Sequence, residues 1–222
     1  MPGQLVIFDF DGTLADTWRD IAAALNRTLD EAGLRAATGP QVRAWVGEGV
    51  GPLIEHAVPG HMRSPERVAA LVARFREHYD RCCLDTTALY PGIAECVARL
   101  SGHTLAILSN KPVRFLERMV TQLGLGGCFA AVVGGDMLSL RKPDPAAVEF
   151  VVGATGGRAQ GLWMVGDSAI DVATGRAAGA HTVGCAWGLR GAGELRDAGV
   201  EFLVEHPCEI PPLIGPAPPR WG

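Results

Sequence analysis

Two aspartates, Asp9 and Asp11, follow the apolar run from Leu5 to Phe8 and precede Gly12. A short apolar run with β-branched and aromatic members, bounded by glycine, is typical of a buried parallel strand. Because residues two apart in an extended segment point to the same side, both carboxylates are expected to face one site. Such a pair is costly without a cation or a proton between its members. The segment therefore predicts a functional site at these two aspartates. The alternative is a surface turn in which both aspartates are solvated.

Further polar residues follow other apolar runs of the chain. Ser109 follows the run 104–108, Asp167 comes just after the run 162–165, and Lys142 precedes a proline-initiated helix after a third run. In open α/β sheets, the carboxyl ends of the strands gather along one edge, where ligands bind. We therefore expect three carboxylates, one hydroxyl and one ammonium to converge there.

This set of groups suits the transfer of a phosphoryl group. Carboxylate oxygens with incomplete coordination suit Mg²⁺, and an ammonium and a hydroxyl beside the metal can hold phosphoryl oxygens. Phosphate monoesters hydrolyse so slowly that accelerations up to roughly 10²¹-fold are needed. A carboxylate nucleophile divides this reaction into two steps, and a second carboxylate can act as general acid and then as base.

Composition narrows the class of protein. The chain has 222 residues, of which 48% are apolar. Its net charge of −4 does not indicate the basic surface of a nucleic-acid-binding protein. It has no apolar run of about 18 residues, and its N-terminus lacks the features of a signal peptide. We therefore expect a cytoplasmic protein without nucleic-acid or membrane partners, either a monomer or a homodimer. Of its 20 basic residues, only Lys111 and Lys142 are lysines, and arginine cannot mimic a compact ammonium charge.

The positions of strands and helices follow from the apolar pattern. Predicted strands alternate with helices, which favours an α/β fold with a doubly wound parallel sheet; the strands are expected at 5–8, 104–108, 129–133, 162–165, 181–184 and 201–204. Between 16 and 84 only helical patterns occur, with Asp16 as a candidate cap of the first helix. Pro143 is expected to open a later helix, and the proline-rich tail from Pro211 to Gly222 is expected to lack regular structure. The predicted domains are a core of residues 1–15 and 85–222 and a helical insert of residues 16–84.

The polar segments resemble, in their order and composition, the four signature motifs of the haloacid dehalogenase (HAD) superfamily. The motifs lie at 9–13, 109–111, 142–145 and 166–171, so the resemblance spans most of the chain. It implies a HAD-like Rossmannoid core, with the helical insert acting as a mobile cap that closes over the substrate and excludes water.

The resemblance also implies roles for individual residues. Asp9 would attack phosphorus and become an aspartyl phosphate, while Asp11 would protonate the leaving oxygen and then activate water. The remaining implied roles are binding of phosphoryl oxygens by Ser109 and Lys142, and binding of Mg²⁺ by Asp9, the backbone carbonyl of Asp11, and Asp167. Asp171 would assist the metal directly or through water, or else orient Lys142.

Several residues separate the branches of the superfamily. Asp11 favours phosphoryl transfer over carbon–halogen cleavage, and the insert contains no lysine for a Schiff base. Residues 42–49 resemble those of phosphoglycolate phosphatases, so 2-phosphoglycolate is the expected substrate, with Asn110, Lys111 and Arg43 as candidate substrate contacts. Arg43 is the candidate partner of the substrate carboxylate. Sugar phosphates, amino-sugar phosphates and pyrophosphate stay open as alternatives, as does a non-catalytic phosphate-binding module on the same fold.

Overall fold

A computed structural model describes residues 3–137, 141–157 and 159–216 of the chain. Its strands are β1 (Leu5–Phe8), β2 (Ala15–Asp16), β3 (Ala88–Leu89), β4 (Thr104–Ser109), β5 (Ala131–Gly134), β6 (Leu162–Gly166), β7 (His181–Cys185) and β8 (Phe202–Val204). Its α-helices are α1 (Trp18–Glu31), α2 (Gly39–Trp45), α3 (Val50–Ala57), α4 (Pro65–Cys82), α5 (Ile93–Arg99), α6 (Val113–Gln122), α7 (Pro145–Ala154), α8 (Ala169–Ala177), α9 (Gly191–Asp197) and α10 (Ile210–Ile214).

Six strands form one parallel sheet in the order β5-β4-β1-β6-β7-β8, which confirms the predicted α/β fold. The strand β1 lies between β4 and β6, and all of its residues are buried. Val6 and Phe8 join the apolar core on one face of the sheet, while Leu5 and Ile7 join the core on the other face. Burial on both faces explains why this strand has a continuous apolar sequence.

The helices α1 to α4 lie between β2 and β3, and α1 packs against α4. The two short strands pair antiparallel, with Ala15 opposite Leu89 and Asp16 opposite Ala88. The helical segment therefore leaves and rejoins the rest of the chain through one narrow two-stranded ribbon. The division into a core and an insert at 15/16 and 84/85 stays a prediction.

The buried side chain of Asp20 in α1 fixes the chain just before this ribbon. Its carboxylate accepts hydrogen bonds from the backbone N–H and the hydroxyl of both Thr86 and Thr87, at donor–acceptor distances of 2.6–3.1 Å. A buried carboxylate is stable only when it is paired in this way. Asp20 therefore ties the first helix of the segment to the strand by which the chain returns.

Several details of the predicted elements differ from the structure. Asp16 lies in β2 instead of capping α1, whose N-cap residue is Thr17. The strand expected at 129–133 spans Ala131–Gly134. The helix expected at Pro143 begins at Pro145, because Asp144 caps it by accepting from the backbone N–H of Ala146 at 2.9 Å.

The proline-rich tail also differs from its prediction. Its first part forms the short helix α10, in which Pro211 sits in the first turn, where no backbone N–H is needed. The last six residues of the tail, 217–222, lie outside the described residues. Within the described part of the chain, no helix is long and apolar enough to cross a membrane.

Candidate active site

The carboxyl edge of the sheet brings the predicted site residues together. Asp9 follows β1, Ser109 ends β4 and Asp167 follows β6, and their exposed fractions are only 3%, 4% and 3%. Lys142 and Asp171 are equally buried, at 5% and 2%. The sheet thus concentrates charged groups where little solvent reaches them.

Three of these carboxylates form a tight cluster with one ammonium. Asp9, Asp167 and Asp171 each place a carboxylate oxygen within 4.8 Å of the others. The Nζ of Lys142 lies 2.9 Å from Oδ1 of Asp9 and 2.7 Å from Oδ1 of Asp171. One ammonium balances only one of the three negative charges, so the cluster carries an excess of acid.

The pKa values in the cluster reflect this imbalance. Burial raises the pKa of Asp9 to about 6, and the charge of Lys142 opposes the shift. Burial, together with the charges of Asp171 and Asp9, raises the pKa of Asp167 well above its usual value. Burial alone would lower the pKa of Lys142, but Asp171 and Asp9 raise it above its usual range. Without another cation, Asp9 and Asp167 thus tend to hold protons.

The donor set fits a divalent cation. Closely spaced carboxylate oxygens with uncompensated charge are the ligands that hard cations such as Mg²⁺ prefer. The approach to Asp167 depends on Gly12, whose φ is +84° and whose Cβ, if present, would overlap the Asp167 carboxylate. A side chain at position 12 would therefore both strain the backbone and fill the cluster.

Asp171 has a second set of contacts besides the cluster. Its Oδ2 accepts from the backbone N–H of Ser168 at 3.1 Å and from the Ser168 hydroxyl at 2.7 Å, which caps helix α8. Its Oδ1 accepts from Lys142, so both oxygens already have partners. Whether Asp171 assists the metal or orients Lys142 stays a prediction.

Asp11 lies outside the cluster and has its own partners. Its Oδ1 accepts from the Thr17 hydroxyl at 2.6 Å, and the Nζ of Lys111 donates to its Oδ1 and Oδ2 at 2.7 and 2.9 Å. The apolar pattern does not predict either contact, because Lys111 is 100 positions away and Thr17 follows six positions later, beyond the turn at Gly12. The two aspartates that open the motif therefore have different ammonium partners.

Comparisons with known proteins agree with this geometry. The profile of the haloacid dehalogenase-like hydrolase family matches residues 6–185. The chain belongs to this family. A phosphoglycolate phosphatase of Pseudomonas fluorescens (strain Pf0-1) is 39% identical over 213 residues, covering 92% of this chain and 78% of that protein. A phosphoglycolate phosphatase of Yersinia pestis is 32% identical over 216 residues, covering 95% of this chain and 92% of that protein.

Solved structures show the same fold. A crystal structure from Haemophilus somnus 129pt, described as a predicted phosphoglycolate phosphatase, superposes with a TM-score of 0.88. Its sequence identity is 25%, and the match covers 96% of this chain and 98% of that one. The expected family, the fold and the assignment as a phosphatase enzyme are thereby confirmed.

In this HAD-like hydrolase, Asn110 uses its side chain to join three segments. Its Nδ2 donates to the backbone oxygens of Gly47 and Lys142 at 2.9 and 3.2 Å, and its Oδ1 accepts from the backbone N–H of Lys142 at 3.1 Å. A second contact to the same loop comes from Arg190, whose Nη2 donates to the backbone oxygen of Val46 at 3.0 Å. Asn110, expected to contact substrate, thus holds the loop after α2 and the backbone of Lys142.

A small cavity of about 40 Å³ reaches the site at Asp11 and Ser109. It lies between the helical segment and the end of β4, and a volume of this size holds roughly three water molecules. Its remaining lining residues are mostly apolar: Ile21, Val46, Gly47, Gly49, Val50, Leu53, Phe75, Tyr79, Lys111, Pro112 and Phe115. The cavity beside Asp11 is therefore small and mostly apolar.

The structure places Arg43 away from this cavity. Its guanidinium lies 5.6 Å from the ring centroid of Trp18, and the residue lines a separate, open cleft together with Trp187 and Arg190. Of the three expected substrate contacts, only Lys111 therefore lines the small cavity.

Proposed function

We propose that this hydrolase is a Mg²⁺-dependent phosphatase that converts 2-phosphoglycolate into glycolate and phosphate. One arrangement carries the proposal. The buried cluster of Asp9, Lys142 and Asp167 lies at the edge of the sheet, and Asp11, at the same edge, lines a small cavity. Relatives named phosphoglycolate phosphatase, 32–39% identical to this chain, support the choice of substrate.

In the proposed reaction, Asp9 attacks phosphorus and forms an aspartyl phosphate, which water then hydrolyses. Ser109 and Lys142 hold the phosphoryl oxygens in place, and Lys142 also fixes the Asp9 carboxylate at 2.9 Å. Asp11, which faces the cavity, donates a proton to the leaving oxygen in the first step and accepts one from water in the second.

The cation would be held by Asp9, the backbone carbonyl of Asp11, and Asp167, with Asp171 acting directly or through water. When bound, Mg²⁺ supplies positive charge that neutralises Asp9 and the phosphoryl oxygens. The three-to-one excess of carboxylates over ammonium in the cluster supports this assignment.

The helices between β2 and β3 act as the cap in this proposal, over residues 16–84. Asn110 and Arg190 bind backbone oxygens of the loop after α2, which supports a closed position of the cap over the cavity. Closure of this kind excludes water from a reactive intermediate.

The cavity volume also separates the possible substrates. The small volume of the cavity supports a small leaving group over a hexose. Pyrophosphate is the second candidate, because the buried ammonium of Lys111 beside Asp11 would also suit an anionic phosphate leaving group.

The test is a turnover assay with purified protein, with and without Mg²⁺. The substrates are 2-phosphoglycolate, a hexose phosphate, an amino-sugar phosphate, pyrophosphate and p-nitrophenyl phosphate. We expect 2-phosphoglycolate to have the highest kcat/KM, and Asp9→Asn to abolish turnover of every substrate. Undiminished turnover in Asp9→Asn would refute the mechanism, and a clear preference for another substrate would refute the substrate assignment.

A further inference from the structure

Lys111 has an unusual position for a lysine. It follows β4, only 7% of it is exposed, and it lines the small cavity beside Asp11. An ammonium has three N–H donors, and the two oxygens of Asp11 account for two of them. Within the described part of the chain, the third donor has no acceptor.

Tyr79 lines the same cavity and carries a hydroxyl donor. Tyr79 belongs to α4 in the helical segment, is 2% exposed, and its hydroxyl has no hydrogen-bond partner among the described residues. Its ring lies under Lys111, with Nζ 4.9 Å from the ring centroid. A buried hydroxyl without an acceptor costs about 1–3 kcal/mol, so such groups usually have a ligand or water as partner.

The aromatic neighbours hold Tyr79 in this position. Phe75 stacks on its ring at a centroid distance of 5.4 Å, and Phe115 packs edge-on at 4.9 Å. The ring is therefore fixed from both sides, by one residue of α4 and one of α6. A fixed hydroxyl loses little conformational freedom when it binds an acceptor.

We propose that Lys111 and Tyr79 together bind the carboxylate of the substrate and so select a phosphate ester that carries a carboxylate on the adjacent carbon. This rests on the proposed function, in which Asp11 hydrogen-bonds the ester oxygen. Lys111 lies 2.7 Å from Asp11, so a carboxylate one carbon away from that oxygen falls beside the ammonium.

The rest of the cavity wall makes this pair selective. Apart from Asp11 and Ser109, the other side chains of the wall are apolar, notably Ile21, Val50 and Leu53, so a bound carboxylate would exchange water chiefly for these two donors. Hydrogen bonds to charged groups are stronger in such surroundings. A neutral group in the same place would leave the ammonium without an acceptor, which works against its binding.

The test compares two substrates of equal length: 2-phosphoglycolate and 2-hydroxyethyl phosphate, which has a hydroxymethyl group in place of the carboxylate. The quantity measured is the ratio of their kcat/KM values in the presence of Mg²⁺. Lys111→Met also removes a partner of Asp11 and so lowers kcat/KM for both substrates. Only the loss of a carboxylate contact changes the ratio of the two kcat/KM values. We expect the ratio to fall ~10- to 100-fold.

Tyr79→Phe removes one oxygen and keeps the aromatic packing, so it remains informative if Lys111→Met folds poorly. We expect it to lower the ratio ~10-fold. The matched control is Tyr90→Phe, because Tyr90 is the other tyrosine of the chain and does not line the cavity. Its ratio is expected to equal that of the wild type.

An unchanged ratio in both Lys111→Met and Tyr79→Phe overturns the carboxylate site. Asp9→Asn distinguishes this failure from failure of the proposed function. If Asp9→Asn abolishes turnover of both substrates while the ratio stays unchanged in the other variants, only the carboxylate site is wrong. If Asp9→Asn still turns over both substrates, or the wild type turns over neither, the proposed function itself is wrong.

Discussion

Replacing Asp20 by alanine tests how strongly the helical segment is tied to the rest of the molecule. The substitution removes a buried carboxylate that accepts from the N–H and hydroxyl groups of Thr86 and Thr87. Two backbone N–H donors would lose their acceptor, at about 1–3 kcal/mol each, so the expected loss of unfolding free energy is about 2–6 kcal/mol. For a chain of this size, each kcal/mol lowers Tm by about 2–4 °C, which gives a decrease of about 4–24 °C.

The measurement is thermal unfolding followed by calorimetry at neutral pH. The matched control is Asp30→Ala, which removes an exposed aspartate from the same helix and is expected to change the unfolding free energy by no more than about 0.5 kcal/mol. If Asp20→Ala and Asp30→Ala have the same Tm, the carboxylate does not stabilise the connection as described.

Two further substitutions test the acidic cluster. Burial raises the pKa of Asp9 from 3.8 to about 6. Ionisation of Asp9 therefore destabilises the metal-free fold: its unfolding free energy falls as the pH rises from 3.8 through 6, by about 3 kcal/mol in all. Asp9→Asn should thus raise the metal-free Tm at pH 7 but not at pH 4, and added Mg²⁺ should stabilise the wild type more than the variant; equal Mg²⁺ effects on Tm would contradict this. Gly12→Ala should lower turnover at least ~100-fold through overlap with Asp167. Gly33→Ala also changes a glycine with positive φ, but it meets no atom within 4 Å and should cost only about 1 kcal/mol with activity retained.

The sequence was sufficient to predict the sheet and the residues at its edge. Each buried strand of the motifs is a largely apolar run that ends in, or is directly followed by, a polar residue, so the sequence alone places Asp9, Ser109 and Asp167 at the ends of strands. Parallel strands must end at one edge, which makes the convergence of these residues a geometric consequence of the fold. Their catalytic roles stay predictions until variants are assayed.

Features that depend on long-range pairing could not be predicted in the same way. The strands β2 and β3 have two residues each, too few to show any periodicity. Asp20 lies in a helix whose pattern gives no hint of partners 66 and 67 positions away. Tyr79 continues the apolar stripe of α4, a pattern that predicts a core residue, whereas in the structure Tyr79 also lines the cavity.

The side chain of Asn110 has one more consequence. The same amide binds the backbone oxygen of Gly47 in the helical segment and both backbone groups of Lys142. Thermodynamic linkage then requires that anything favouring contact of the segment with Asn110 also favours the observed placement of Lys142, and the reverse. If the segment is the substrate-capturing cap, as proposed, substrate capture and the alignment of the Lys142 ammonium become one cooperative event, and a poorly fitting molecule would fail to organise the groups that could react with it.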